Sequence, residues 1–314
     1  MSSGSVAAGQ SKAAPRGRGK HLTERTRSER RLAAMLVGPA AIVMIAVTAY
    51  PILDAFILSL QRSDLRFPNA TKFIGLANYG HVLSASVWWQ DVLHTSIITV
   101  ISVSIQLVLG MLLALAMHRA VFARGAVRAI ALVPYGIVAV VAAYSWQYAW
   151  SLNSGWIPKL LGLTSDPLSH QFGSYVAIII TEIWKNTPFM ALLLLAGLAL
   201  VPDELQEAAK IDGATTLQRF WRITIPLMKP AILVALLFRT LDAFRIFDTI
   251  YIFNQGAQGT ESISMLNYST LLDRLNLGLG SAVSVLLFVL VALIAFVFIK
   301  GFGAGAAPGG ATPR

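Results

Sequence analysis

Six apolar runs, each long enough to cross a bilayer as a helix and each followed by a polar segment, constrain this chain more than any other feature. They cover Leu32 to Leu60, Val92 to Met117, Ala129 to Trp150, Ser174 to Leu200, Pro230 to Phe253 and Gly280 to Ile299. A helical span needs about 20 predominantly apolar residues. Inside hydrocarbon, backbone N–H and C=O groups must be satisfied within the chain, so runs of this kind become helices. Composition agrees, with 56% hydrophobic residues, 13% charged residues and a mean hydropathy of +0.66 over 314 residues. The expected fold class is all-α integral membrane with six transmembrane helices.

The net charge of +10 is distributed as membrane orientation requires, and this argues against a nucleic-acid partner. Arg25, Arg27, Arg30 and Arg31 precede the first run, and His118, Arg119, Arg124 and Arg128 follow the second. Lys210, Arg219, Arg222 and Lys229 lie between the fourth and fifth, and Lys300 follows the sixth. Both termini are therefore expected in the cytoplasm. Residues 1–31 read as a basic, disordered or membrane-surface tail, 32–300 as the membrane domain and 301–314 as a disordered C-terminal tail. Tyr50-Pro51 reads as a break in the first run, and Pro134 falls inside the third.

Between the fourth and fifth runs lies the longest polar helical pattern. Asp203 with Gln206 reads as a capping box, Gly213 as a helix terminator, and Thr215 with Gln218 as a second capping box. The second helix is expected to run only to the breaks at Pro226 and Pro230. Leu205, Ala208 and Ala209 share one side. The segment is either a solvated connection or a docking surface for a partner.

Two polar clusters fall at membrane depth, where an ionisable side chain costs roughly 2.5 to 3.5 kcal/mol even on lenient insertion scales. In the fifth run Arg239, Asp242, Arg245 and Asp248 recur every three residues with alternating sign. They read either as an ion-pair ladder or as the polar wall of a path, with Phe238, Asp242 and Arg245 on one face. In the fourth run Glu182, Lys185, Asn186 and Phe189 are spaced for one broad face, and Pro188 either kinks the helix or frees a carbonyl. The chain has no cysteine, its five histidines lack metal-ligand spacing, and no phosphate-binding G-x-x-x-x-G-K-[ST] loop occurs. It is therefore expected to be no enzyme.

Glu207, Ala208, Ala209, Gly213, Ile223 and Pro226 match the E-A-A-x-x-x-G-x(9)-I-x-L-P signature, with Ile225 where leucine is usual. In this the chain resembles the permeases of binding-protein-dependent ABC importers. The stretch from Phe238 to Asp248 and that from Gly280 to Leu287 place it in the carbohydrate branch, similar to the maltose-permease F type. The resemblance implies a type I ABC importer permease fold in a bacterial inner membrane. It also implies a second permease subunit, two ATP-binding cassette subunits and an extracytoplasmic sugar-binding lipoprotein as partners, besides membrane lipid. ATP and Mg would be used by the cassette subunits, with no cofactor on this chain. The cargo implied is a disaccharide, with trehalose favoured. Sugar contacts would come from Asn186, Phe189, Phe238, Leu241, Asp242 and Arg245, and ATPase coupling from Glu207, Ala208, Ala209, Asp212, Gly213 and Phe220. The alternative is an ion-coupled secondary transporter using the fifth-run charges as a relay.

Overall fold

A computed structural model describes residues 24–119 and 124–302. The expected tails lie outside these residues over 1–23 and 303–314. Two units are distinguished, one running to Leu53 and the other from Asp54.

Helix α1 (Glu24–Ser59) carries Pro39 and Pro51 within it, so the break expected at Tyr50-Pro51 does not form. It also starts well before Leu32. The segment from Glu24 to Arg31 is made largely of Glu and Arg, which are good helix formers and extend the apolar helix backwards.

In the second unit, Ser59 is buried, its Oγ 2.6 Å from the Tyr79 hydroxyl. A short hairpin follows, β1 (Gln61–Arg62) against β2 (Lys72–Phe73), and then helix α2 (Ala77–Ser84). Asp64, whose carboxyl Arg66 holds below the usual range by side-chain and backbone hydrogen bonds, forms an isolated bridge with Asn276. The polar segment after the first run is thus tied to the entry of the last helix.

Helix α3 (Ser86–Arg119) and helix α7 (Gln171–Leu198) form the core. In the apolar window of each, 44% of residues are buried, against 11% in α13 (Leu277–Phe302). They approach closely at Gly110, where a Cβ would come within 2.8 Å of Met190 Cγ. Without a hydrophobic driving force between helices in lipid, such small-residue contacts let packing hold them together. Met111, Ala114 and Met117 of α3 join Met190, Ala191 and Leu194 of α7 in one buried cluster.

The third apolar run is not a single straight span. Helix α4 (Arg124–Gly136) and helix α5 (Ala139–Trp150) are bent by 83°. Pro134 lacks a backbone donor and Gly136 lacks a Cβ, so helical continuity is weakest here. Helix α6 (Ile157–Leu161) precedes α7.

After α7 come α8 (Asp203–Ile211), α9 (Thr216–Arg219), a π turn over Phe220–Thr224, and α10 (Ile225–Ala243). The expected breaks at Pro226 and Pro230 are absent. Pro226 sits in the first turn of α10, where a missing N–H is tolerated, and the π turn absorbs the altered bonding, with Ile225 N–H donating to Phe220 O. The fifth run instead ends early, at Ala243, and restarts as α11 (Asp248–Asn254). Helix α12 (Ile263–Tyr268) and a π turn over Ser269–Asp273 lead into α13. Among the described residues five helices are long and apolar enough to cross a membrane, or six if the bent α4–α5 pair counts as one crossing.

Candidate functional site

The two polar clusters meet where α3, α7, α10 and α11 converge. Arg239 of α10 is fully buried, its Nε donating to Gln106 Oε1 of α3 at 2.8 Å and its Nη1 pairing with Asp242. Gln106, also fully buried, donates from Nε2 to the Glu182 carbonyl of α7 at 2.9 Å. The Glu182 carboxylate accepts from Asn186 Nδ2 at 2.9 Å and from Thr249 Oγ1 of α11 at 2.8 Å. One network therefore joins four helices. Arg239 Nη2 is buried in it without a partner.

The four-charge ladder expected in the fifth run does not form. Arg239 and Asp242 pair, but α10 ends at Ala243, leaving Arg245 in the turn and Asp248 at the head of α11. Among the described residues Arg245 and Asp248 make no ion pair with each other. A relay of alternating charge along one helix is absent for the same reason. Phe238 and Asp242 remain on one helix, Phe238 54% exposed and the Asp242 side chain 69% exposed. Leu241 between them is half-buried, and Arg245 is exposed beyond the helix end.

The broad face expected on α7 is divided. Glu182 and Asn186 face the network, whereas Lys185 and Phe189 turn to the α4–α5 elbow. Lys185 Nζ donates to the Ile137 carbonyl at 2.7 Å, satisfying backbone in the bend, and Phe189 stacks on Tyr135 with centroids 5.1 Å apart. We expect Lys185→Met to destabilise the elbow by about 1 kcal/mol, the low end of the cost of orphaning an acceptor, because the Ile137 carbonyl is only partly buried. Thermal unfolding of the purified protein would register it, and an unchanged midpoint would contradict this role.

The segment between α7 and α10 forms two helices about a glycine. Gly213 has φ +81°, its N–H donating to Lys210 O at 3.1 Å while Ala214 N–H donates to Ala209 O at 2.9 Å. This is a Schellman end, which favours glycine in the left-handed conformation. The capping box of Thr215 and Gln218 forms, with bonds of 3.3 and 2.8 Å. That of Asp203 and Gln206 does not, because α8 already begins at Asp203 after Pro202, and Gln206 instead donates to Thr224 Oγ1 at 3.1 Å. Glu207, Ala208 and Asp212 are exposed and Ala209 is half-buried; α8 buries no residue. Ile211 is 87% exposed at the tip. Phe220 is apart from these residues, packed on the α3–α7–α10 cluster and edge-on to Trp221.

Gln106, Thr249 and Ile211 lie outside the candidate residues that spacing and motif pick out in the sequence. Gln106 had a signal, an amide within an otherwise apolar run, since such residues hydrogen-bond across helices in membranes. Phe247, Tyr251 and Tyr268, likewise without a motif, meet after α10 ends with ring centroids 5.1 to 5.2 Å apart. No group of three or more metal-ligating side chains occurs among the described residues.

Residues 73–304 match the family described as binding-protein-dependent transport system inner membrane component. The chain is 56% identical over 283 residues, 90% of its length and 92% of the relative's, to the trehalose transport system permease protein SugA of Mycobacterium tuberculosis (strain ATCC 25618 / H37Rv). It is 40% identical over 280 residues to the trehalose/maltose transport system permease protein MalF of Thermococcus litoralis, covering 87% of this chain and 94% of that protein. Its fold is shared with a chain of a bacterial ABC transporter that imports the acidic polysaccharide alginate, at TM-score 0.75 and 22% identity over 90% of this chain and 99% of that one.

Proposed function

Because the chain belongs to the family of binding-protein-dependent transport system inner membrane components, we propose that it is the permease subunit of an ATP-driven sugar importer that carries trehalose. It lies in the inner membrane. It forms half of the path with a second permease subunit and receives sugar from an extracytoplasmic binding protein. Two cassette subunits use ATP and Mg below it. The α4–α5 pair completes six crossings, and both termini lie in the cytoplasm, in keeping with the basic residues beside the spans.

The observation that carries this reading is the connection of an exposed helix pair to the polar network. From α9 the chain runs through the π turn into α10 without a break, so a force on the segment around Gly213 is transmitted to the helix bearing Phe238, Asp242 and Arg239. Glu207, Ala208, Ala209, Asp212 and Gly213 form the surface on which a cassette subunit docks, and Phe220 braces it from within. ATP-driven closure of the cassettes pulls this surface and turns the path outward. For a near-complete switch ATP must favour that state by about 5.5 kcal/mol.

Sugar contacts fall to the exposed ring of Phe238 and the hydrogen-bonding groups of Asp242 and Arg245, with Asn186 and Leu241 beside them. Phe189, seated at the elbow, contributes by holding α7 against Tyr135. In a strain lacking this subunit, Asp242→Ala and Arg245→Ala are each expected to raise the half-saturating trehalose concentration about five- to tenfold, the value of one hydrogen bond. Unaltered affinity and selectivity, with uptake normalised to the amount of protein in the membrane, would rule out their contact with sugar.

A further inference from the structure

A groove of about 750 Å³ runs between α3 and the α9–α10 stretch, apart from the polar network. Its size lies within the roughly 300 to 1,000 Å³ of ordinary ligand pockets. Along α3 it extends from Leu107 to Arg119, about 18 Å at 1.5 Å per residue. Its walls are apolar and open: Leu112 is 59% exposed, Leu217 67% and Trp221 61%.

The end nearest α8 is different. Arg119 is exposed there, and Arg219 is held by two long bonds only, Nη1 to Gln206 O at 3.5 Å and Nη2 to Thr216 Oγ1 at 3.4 Å. Its Nε is buried with no acceptor. Among the described residues no acidic side chain pairs with either arginine. The groove is therefore a long apolar slot bearing at one end two guanidinium groups that no acidic side chain among the described residues pairs. A sugar would leave the slot unsolvated, and an apolar helix would leave the arginines unpaired.

We propose that this groove binds an anionic phospholipid, with an acyl chain along Leu107, Leu112 and Leu217 and the phosphate on Arg119 and Arg219. Basic pockets between membrane helices at the cytoplasmic side suit anionic headgroups, and Trp221 has the amphipathic ring favoured at that level. The leaflet assignment rests on the orientation given above; the site itself does not. Seated there, the lipid packs against Phe220 and the π turn, between the docking segment and α10.

The full chain, released from nanodiscs containing equal phosphatidylglycerol and phosphatidylcholine, should retain phosphatidylglycerol preferentially in native mass spectrometry. Arg119→Gln, at an exposed position with no ion pair among the described residues, should lower the ratio about fivefold, and the double variant with Arg219→Gln should lower it further. Leu112→Trp, which narrows the slot, should reduce retention of both lipids. A phosphatidylglycerol carrying a photoreactive acyl chain should label residues 107–115. Equal retention of the two lipids by the parent, an unchanged ratio in Arg119→Gln, or labelling spread over all helices would identify annular lipid only and overturn the proposal. Loss of trehalose uptake plays no part in this readout, so failure of the transport reading and failure of the lipid site are distinguishable.

Discussion

Replacing Gly213 by proline is expected to lower trehalose uptake at least about 100-fold, equivalent to roughly 2.7 kcal/mol, while the protein still reaches the membrane. The reason is conformational rather than steric, since a Cβ at Gly213 would meet no atom within 4 Å. Its φ of +81° lies far from the value near −65° to which proline is locked, and proline has no N–H to donate to Lys210 O. The Schellman end is lost, and α8 and α9 no longer meet at their native angle. Gly213→Asn is the matched control, because asparagine tolerates the left-handed region and keeps the N–H; it should retain most of the uptake. Glu207→Lys, which reverses charge on the exposed face of α8, should uncouple transport in the same way. Full uptake by the proline variant would show that the bend transmits nothing.

Arg239→Met should have the second large effect, this time on the protein itself. The substitution strands Gln106 Oε1 in the core and removes the partner of Asp242. Losing one member of a fully buried ion pair costs about 3 to 5 kcal/mol. The Asp242 side chain is 69% exposed, so solvent screens its share, and a total of about 2 to 4 kcal/mol is the better expectation. Level in the membrane and thermal midpoint should both fall. Adding Gln106→Leu to Arg239→Met should recover part of the loss, since removing both partners leaves fewer unsatisfied groups than removing one. A single variant as stable as the parent would mean that the network does not hold the four helices. Asp242→Ala leaves the buried Arg239 guanidinium without its carboxylate and should lower the amount of folded protein as well, whereas Arg245→Ala, which breaks no ion pair among the described residues, should alter affinity alone.

The fourth and fifth runs show how far residue spacing reaches. Arg239, Asp242, Arg245 and Asp248 have helical spacing, but spacing cannot reveal that the helix stops at Ala243, where tertiary contacts of the Phe244 to Phe247 turn prevail over local periodicity. Glu182, Lys185, Asn186 and Phe189 likewise share a face in projection. They are divided because α7 packs on several neighbours, with Glu182 bonded to Gln106 of α3 and Thr249 of α11 while Lys185 is bonded to the α4–α5 elbow. Proline misled in both directions. Pro39, Pro51 and Pro230 lie within continuous helices, whereas Pro134 precedes an 83° bend. What differs is the surroundings, including the Lys185 ammonium that satisfies a carbonyl at that bend.

By itself the sequence determined the membrane class, the position of the apolar runs, the Gly213 terminator and the Thr215 capping box. Each depends on interactions within a few residues or on the cost of exposing polar backbone to lipid, and such terms can be read along the chain. Only the tertiary structure decided that Gln106, Glu182, Arg239 and Thr249 are one hydrogen-bonded group, that the third run is bent, and that α9, the π turn and α10 are continuous. Those outcomes depend on which helices touch. In a membrane that is settled by close packing at sites such as Gly110 and by the pairing of buried polar groups across large sequence separations.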